Sequence, residues 1–364
     1  MENHFKNIEK VILEKNKTMH YQILFTIYLI SCSTIFAQFE SNENKYNIYA
    51  PNIPNKISFA NEQTPIEEFD IKERLDKEIL INTYWQSKTI LLIKRSHKYF
   101  PIIEKILKKN NIPDDFKYLA VAESGLENVT SPAGAKGVWQ FLKKTALECG
   151  LEINSQIDER YHLEKSTEAA CKYLKQSYDL FGSWTLAAAA YNMGNSGLKK
   201  AIDKQKINDY YQLMLNDETY RYVFRILAIK EILTKHRQYG FILNNDDYYH
   251  PIDFYNVTID TTINNIAEFA IKLGVNYKKI KQLNPWLRTN TISNPNNTTY
   301  NIKIPSTYDN SNIKKDTIIH ICEAKENLFE IARKYNIDIN QILSWNNLIP
   351  SKKLKKKQEI IIIQ

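Results

Sequence analysis

Residues 118–142 of this 364-residue chain read YLAVAESGLENVTSPAGAKGVWQFL. Glu123 stands at the end of an apolar helical turn, and Leu119 and Ala120, four and three residues earlier, share its face of the helix. A carboxyl group against an apolar face is partly desolvated, which disfavours its charged form and raises its pKa. The segment therefore predicts a carboxylic acid that stays protonated near neutral pH and donates a proton. The alternative is a helix-end glutamate in water or in a salt bridge.

Two later segments accompany this one. Residues 190–194 read Ala-Tyr-Asn-Met-Gly at the end of an alanine run, and residues 158–160, Asp-Glu-Arg, lie between. This ordered set resembles the lytic transglycosylases with a soluble-lytic-transglycosylase (SLT) catalytic domain, which is related in fold to goose-type lysozyme. The family pattern is Glu-Ser, then Ser-Pro-x-Gly-Ala-x-Gly-Leu-Met-Gln, then Ala-Tyr-Asn. Residues 84–87, Tyr-Trp-Gln-Ser, look like the lead-in of the membrane-bound type D subgroup, and the resemblance covers roughly residues 70–364.

The resemblance implies an activity and a set of site residues. The activity is cleavage of the β-1,4 bond between N-acetylmuramic acid and N-acetylglucosamine in peptidoglycan, with formation of 1,6-anhydro-muramyl ends. Glu123 is expected to be the sole catalytic acid and base, with the Tyr191 hydroxyl approaching it. The residues expected to bind substrate are Ser124, Ser131, Gly137, Gln140, Phe141, Tyr191 and Asn192.

Several positions depart from the family pattern. Val138-Trp139 stands where Leu-Met is usual, and Met193 stands where Ala is usual. These replacements are apolar and fit a cleft wall, so they bear on the fit of the glycan more than on activity. Gly134 and Gly137 are expected to let the loop backbone approach the glycan closely.

Two other functions compete with transglycosylation. A hydrolytic muramidase that inverts configuration needs a second carboxylate about 6.5–9.5 Å from the acid to activate water. Glu127, Asp158 and Glu159 are the candidates, although Asp158-Glu159-Arg160 is more typical of ion pairs that stitch a fold together. The other competing function is that of a catalytically inactive peptidoglycan-binding protein.

The chain divides into a helical part and a repeated part. Residues 70–245 are predicted to form the helical lytic transglycosylase domain, with a motif core at 108–205. Pro113-Asp114-Asp115 predicts one helix start and Ser166-Thr167-Glu168 another, which Gly182 ends. Ser183 predicts the start of the next helix, 184–192, and residues 217–236 are predicted to form one more. The fold class is mainly α, lysozyme-like, with two small α+β modules.

Those modules are visible as an internal repeat. At a constant offset of 62, apolar and Asn positions match, as in Val257 with Ile319 and Asn284 with Asn346. Each copy reads strand–helix–helix–strand. The second, 316–364, looks like a lysin motif (LysM), which binds N-acetylglucosamine chains, while the first, 252–306, is a degenerate lysin-type module that serves either in glycan binding or in packing alone.

The sequence pattern at the N-terminus predicts an export signal. Residues 23–37, ILFTIYLISCSTIFA, are apolar and uncharged, and lysines precede them, so residues 1–37 are predicted to be a signal peptide. Residues 29–32, Leu-Ile-Ser-Cys, offer the alternative of a lipoprotein anchored through Cys32 in the outer membrane. Residues 38–69 are expected to be a flexible tether.

Composition limits the remaining choices. The net charge of +8 arises from 49 basic and 41 acidic residues that are mixed along the chain, so nucleic acid is not the expected partner. Four cysteines are too few for a disulfide scaffold, and no metal-ligand spacing is present among His and Cys. We expect an exported, periplasmic monomer that acts on peptidoglycan glycan strands with no cofactor and no metal.

Overall fold

The computed structural model describes residues 13–17, 19–20, 22–27, 48–306, 317–324, 326–335, 337–346, 348 and 354–363. The chain divides into two compact units, Met1–Asn52 and Ile53–Gln364. In the first unit, residues 13–17, 19–20 and 22–27 are helical. Cys32 and the predicted cleavage point after Ala37 lie outside the described residues. Among the described residues, no helix combines the length and the apolar character that a bilayer span requires.

The helical part of the second unit is built around one large apolar core, with a smaller cluster of Ile93, Ile232, Phe241 and Leu243 beside it. Its helices are α1 Phe69–Tyr84, α2 Gln86–Lys109, α3 Phe116–Ser124, α4 Lys143–Glu148, α5 Leu163–Phe181, α6 Trp184–Met193, α7 Asn195–Gln205 and α8 Asp217–Thr234. Helix α8 is buried along most of its length and packs against α1, α3 and α6. Helix α6 packs against α5 through its small residues Ala187–Ala190, all fully buried. Helices α3 and α6 carry the predicted motifs, and α8 packs against both of them, so it holds the two motifs next to each other.

Two neighbouring helix ends follow the expected capping chemistry. Gly182 adopts a left-handed conformation (φ 72°) after α5, and the Ser183 side chain accepts a hydrogen bond from the Leu186 amide at the start of α6, so both predictions are confirmed. The predicted start at Ser166 is wrong, because α5 begins at Leu163 and Ser166 is fully buried within its first turn.

The segment expected to be a flexible tether is packed structure in its C-terminal part. Strands β1 Ser58–Phe59 and β2 Glu62–Gln63 pair antiparallel. Phe59 is fully buried, and its ring meets that of Phe116 edge-on, with centroids 5.0 Å apart. The Glu62 carboxylate accepts hydrogen bonds from the amides of Trp184 (2.6 Å) and Thr185 (2.8 Å). These contacts cap α6, so the tether prediction for 38–69 is wrong from about residue 57 onward.

The two repeats fold as predicted, each as a βααβ module. The first consists of β3 Phe254–Ile259, α9 Ile266–Lys272, α10 Tyr277–Leu283 and β4 Tyr300–Pro305, and the second of β5 Thr317–Ile321, α11 Leu328–Tyr335, α12 Ile339–Trp345 and β6 Glu359–Ile363. In each, the two strands pair antiparallel, Phe254 opposite Pro305 and Thr317 opposite Ile363. The first module shares its apolar core with Ile157 and Tyr161 of the helical part.

Candidate active site

Glu123 occupies the last turn of α3, where the helix ends at Gly125 in a left-handed conformation (φ 63°). Leu119 and Ala120 behind it are fully buried, as the sequence predicts. Burial raises the pKa of the Glu123 carboxyl from 4.5 to about 7, which is the largest influence on it. The predicted acid therefore has a pKa near neutral, where one group can both give and take a proton.

The partner of this carboxyl is Tyr222, a residue that the sequence did not indicate. Tyr222 lies on α8, is only 1% exposed, and donates a hydrogen bond from its hydroxyl to Glu123 Oε1. This hydrogen bond lowers the pKa of Glu123 and so opposes part of the effect of burial. The two residues stand far apart in the sequence, and no local pattern around Tyr222 links them.

Tyr191 lies beside this pair but does not hydrogen-bond to Glu123. Its hydroxyl donates to the backbone carbonyl of Trp139 at 2.7 Å, and its ring packs edge-on against Phe141 and Tyr173. Burial and the nearby Glu123 carboxylate hold the pKa of Tyr191 well above 10, so the hydroxyl keeps its proton. The hydrogen bond to the acid therefore comes from Tyr222, while Tyr191 lies nearby and bonds to Trp139, and an approach of the Tyr191 hydroxyl to Glu123 during the reaction stays a prediction.

The segment that we call the cleft loop, residues 129–141, is held by short-range backbone bonds. Lys136 forms antiparallel bridges to both Thr130 and Phe141. Gln140 has a left-handed backbone (φ 48°), and its side-chain amide donates to the Gly137 carbonyl at 2.7 Å. Ser131 Oγ accepts a hydrogen bond from the Ala135 amide at 3.0 Å. Both side chains are partly exposed and retain acceptor capacity.

Three residues expected to bind substrate also make contacts inside the protein. Ser124 Oγ donates to the Val138 carbonyl at 2.8 Å and ties α3 to the cleft loop. Phe141 is 3% exposed and belongs to the core. A Cβ atom on Gly137 would lie 1.9 Å from the Arg160 carbonyl oxygen, so this glycine is required by contact with the protein's own backbone. These contacts shape the loop, and glycan contact by the three residues stays a prediction.

Asn192 joins the two helices that flank the acid. Its Oδ1 accepts a hydrogen bond from Thr219 Oγ1 at 2.7 Å, which links α6 to α8 one turn before Tyr222. The side chain is partly exposed, and its amide nitrogen keeps donor capacity.

The carboxylates weighed as second catalytic groups are each paired with a cation. Glu127 pairs with Arg95, and Asp158 pairs with Arg160 at 2.8 Å. Glu159 is 3% exposed and pairs with Lys165. The interpretation of Asp158-Glu159-Arg160 as a structural ion-pair segment agrees with these contacts.

One further carboxylate, Glu218 on α8, also influences the acid. It raises the pKa of Glu123 while its partner Arg225, 3.0 Å away, lowers it.

Comparisons with known proteins identify the domains of this chain. A family model described as "Transglycosylase SLT domain" matches residues 100–214, "Soluble lytic transglycosylase C-terminal LysM-like domain" matches residues 255–308, and "LysM domain" matches residues 323–362. The chain carries an SLT domain and two LysM-type modules. The predicted resemblance, the mainly helical fold class and the assignment as a lytic transglycosylase enzyme are confirmed by these matches.

The individual relatives share low sequence identity with this chain. Two curated proteins from two strains of Escherichia coli, each described as "Membrane-bound lytic murein transglycosylase D", are 27% identical in an alignment of 316 positions, and the match covers 80% of this chain and 68% of each relative. A solved structure of an inactive mutant of the lytic transglycosylase Slt from Pseudomonas aeruginosa is 19% identical. The aligned region covers 42% of this chain and 26% of the Pseudomonas chain, with a TM-score of 0.30.

Outside the SLT domain, the second LysM module contains one group of potential metal ligands among the described residues. His320, Cys322 and Glu326 place their ligand atoms within 4.8 Å of one another. His320 Nε2 lies 2.9 Å from Glu326 Oε2, and its Nδ1 lies 3.0 Å from the Tyr335 hydroxyl. Burial raises the pKa of the Cys322 thiol, which opposes the thiolate that a metal ion would need. We interpret this group as a hydrogen-bonded part of the module's core.

Replacing Tyr222 by Phe tests how the SLT domain sets the acidity of Glu123. Loss of a hydrogen bond to the carboxylate removes an influence that lowers the pKa, so the pKa should rise further, by about one unit. Since the first step needs the protonated acid, activity falls as pH rises through the pKa, and the basic limb of the kcat/KM profile should move to higher pH. Tyr210→Phe is the matched control, because the Tyr210 hydroxyl bonds to the Thr219 carbonyl at 3.0 Å instead. A basic limb that stays in place in Tyr222→Phe would contradict this assignment.

Proposed function

We propose that this enzyme cleaves the β-1,4 bond between N-acetylmuramic acid and N-acetylglucosamine by intramolecular transglycosylation. Protonated Glu123 donates its proton to the linking oxygen, and the bond from that oxygen to the anomeric carbon of muramic acid breaks. The resulting Glu123 carboxylate then accepts the proton of the muramyl C6 hydroxyl, whose oxygen bonds to the anomeric carbon. The products are a free 4-hydroxyl on N-acetylglucosamine and a 1,6-anhydro-muramyl end, and Glu123 is again protonated.

One observation carries this proposal. The carboxyl of Glu123 has a pKa of about 7 and a single tyrosine donor, while Glu127, Asp158 and Glu159 are each held by a cation. One group that alternates between acid and base suits a reaction in which the sugar supplies its own nucleophile. A hydrolase would need a second carboxylate free to activate water.

The cleft loop and α6 are proposed to bind the glycan. Ser131, Gln140 and Asn192 are partly exposed polar residues whose internal hydrogen bonds fix their orientation and leave other donor or acceptor groups for sugar hydroxyls and N-acetyl groups. Tyr191 acts behind them by supporting the Trp139 carbonyl. Preorganised side chains of this kind lose little conformational entropy when a ligand binds.

The second LysM module is proposed to hold the enzyme on its substrate. A weak binding module attached to a catalytic domain raises the local concentration of the glycan that it holds. Since the E. coli relatives are described as membrane-bound, we infer that this protein acts in the cell envelope and is exported to the periplasm. Its mature N-terminus is either Gln38, after cleavage behind Ala37, or a lipidated Cys32. The mass of the mature N-terminus distinguishes these two forms.

Analysis of the reaction products tests the proposal. Purified enzyme incubated with peptidoglycan sacculi should release muropeptides that end in anhydro-muramic acid, which are about 18 Da lighter than the hydrolytic products because no water is added. Mass spectrometry before and after borohydride reduction reads this directly, since anhydro ends are not reduced. Products with reducing ends would instead support the muramidase, and no released product would support the inactive binding protein.

A further inference from the structure

The first LysM-like module packs against the SLT domain. It is joined to residues 152–161, which we call the brace segment. The Asp158 amide donates to the Trp286 carbonyl at 3.0 Å, and the Arg288 amide donates to the Gln156 carbonyl at 2.7 Å. Ile157 and Leu287, which lie between these two bonds, form an antiparallel bridge. The backbones of the two domains are therefore paired as in a short piece of sheet.

Side chains extend this junction on both sides. The Gln156 side chain donates to Thr291 Oγ1 at 3.1 Å and accepts from the Ser293 amide at 2.8 Å. The Tyr300 hydroxyl donates to the Glu152 carboxylate at 3.1 Å. An ion pair joins Lys303 of β4 to Glu164, just beyond the brace segment. These polar contacts surround buried apolar ones, since Ile157 is 1% and Leu287 is 1% exposed.

The other side of the brace segment holds the cleft loop. Asp158 binds the Arg160 guanidinium through two hydrogen bonds of 2.9 and 2.8 Å, and this orients Arg160. Arg160 Nη1 then donates to the carbonyls of Phe141 (3.2 Å) and Gly134 (3.3 Å), at two points of the loop. Gly137 packs directly on the Arg160 carbonyl.

A third hydrogen bond connects the loop to the same segment. The Thr130 hydroxyl and the Tyr161 hydroxyl are 3.0 Å apart. The Arg288 guanidinium of the module lies over the Tyr161 ring, 4.3 Å from its centroid. The module therefore also contacts the tyrosine that bonds to Thr130. In all, the module contacts two of the brace residues directly, Asp158 through the Trp286 carbonyl and Tyr161 through Arg288, and it reaches Arg160 through Asp158.

We propose that the first LysM-like module is a brace that positions the cleft loop for catalysis, and that it contributes to the catalytic step rather than to capture of the glycan. The proposal rests on the proposed function, since the loop carries Ser131 and Gln140. The residues of the junction act through the loop and are positioning residues. Capture of sacculi is left to the second LysM module.

The test uses the full-length protein with three substitutions at the junction, Gln156→Ala, Tyr300→Phe and Lys303→Met. The control carries the same three kinds of substitution on exposed positions of α10, namely Gln282→Ala, Tyr277→Phe and Lys278→Met, none of which contributes a bond to the SLT domain in the contacts above. Activity is measured on a soluble glycan fragment, so that tethering to sacculi plays no part. Sacculus binding is measured separately by co-sedimentation.

The junction variant should lose about tenfold or more in kcat with KM and sacculus binding changed less than twofold, while the control matches the wild type. Hydrogen exchange should accelerate at the Gly137 and Phe141 amides of the cleft loop, together with the Asp158 and Arg288 amides at the junction, and not at amides of α8. Faster exchange at the junction with a protected loop and unchanged kcat would overturn the proposal. An unchanged kcat with weakened sacculus binding would do so as well, because the module would then serve capture.

If the three substitutions leave the junction amides protected, Leu287→Asp is used instead, because a carboxylate at this buried contact must open it. The expected effect on the cleft loop is the same even if the module itself unfolds, since the brace is lost in either case. The wild-type enzyme measures the proposed function independently: absence of anhydro products from the wild type contradicts that function, whereas equal kcat in wild type and opened junction variants contradicts the brace alone.

Discussion

Glu123→Gln is expected to reduce muropeptide release by at least about 10³-fold, because glutamine neither donates nor accepts the proton in the proposed mechanism. The amide is nearly the same size as the acid and still accepts the hydrogen bond from Tyr222, so the fold and sacculus binding should persist. Release is measured by chromatography of soluble products, and binding by co-sedimentation with sacculi.

The matched control is Glu127→Gln, one turn beyond the acid. Glu127 is 43% exposed in its side chain and pairs with Arg95, so its replacement should leave activity within about twofold. If Glu127→Gln removed activity as completely as Glu123→Gln, two carboxylates would be needed and the hydrolytic mechanism would replace the proposed one. If Glu123→Gln kept its activity, the assignment of the acid would be wrong.

The same substitution has a pH-dependent effect on stability. A carboxyl whose pKa is raised in the folded state from 4.5 to about 7 favours folding while it is protonated. That contribution is fully present below about pH 4.5 and is lost as pH rises through about 7. Glu123→Gln should therefore unfold at a higher temperature than the wild type at pH 8, by an amount corresponding to about 1–3 kcal/mol, and show little gain at pH 4.

Gly137→Ala is expected to have the largest effect on stability. The backbone there has φ +80°, and the new Cβ would lie 1.9 Å from the Arg160 carbonyl oxygen, which is backbone and cannot rotate away. We expect a loss of about 3 kcal/mol or more, or roughly 6–12 °C in the melting temperature of a domain of this size, together with loss of activity as the cleft loop shifts. Calorimetry and the muropeptide assay read the two effects.

Gly134→Ala separates conformation from contact. Gly134 has nearly the same backbone angle (φ +81°), but a Cβ there meets no atom within 4 Å. Only the conformational cost remains, about 1 kcal/mol. Equal destabilisation by the two substitutions would show that close packing on Arg160 does not matter.

The sequence predicts the parts of this enzyme that depend on local pattern. Glu123 was assigned because its apolar neighbours share its helix face and because the segments around 123–140 and 190–192 resemble an ordered family pattern, and the two modules were found because they repeat at an offset of 62. Helix ends at Gly182 and Ser183 were predicted since their conformations and capping groups are intrinsic to those residue types.

What the sequence could not predict depends on contacts between distant segments. Tyr222 reaches Glu123 because α8 packs behind α3, and nothing local to residues 217–236 signals that contact. Gly137 was expected to face the glycan, whereas its partner is Arg160. The segment around Phe59 looked aperiodic because it is a short hairpin with one buried ring, which is too few residues to show a period.

The hairpin also sets the practical limits of the catalytic domain. The SLT family model begins at residue 100, yet the Glu62 carboxylate supplies acceptors for the first amides of the helix that ends in Tyr191 and Asn192. A fragment trimmed to the family match would leave those donors unpaired and uncover Phe116. An expression clone intended for crystallography or enzymology should accordingly start ahead of Ile53.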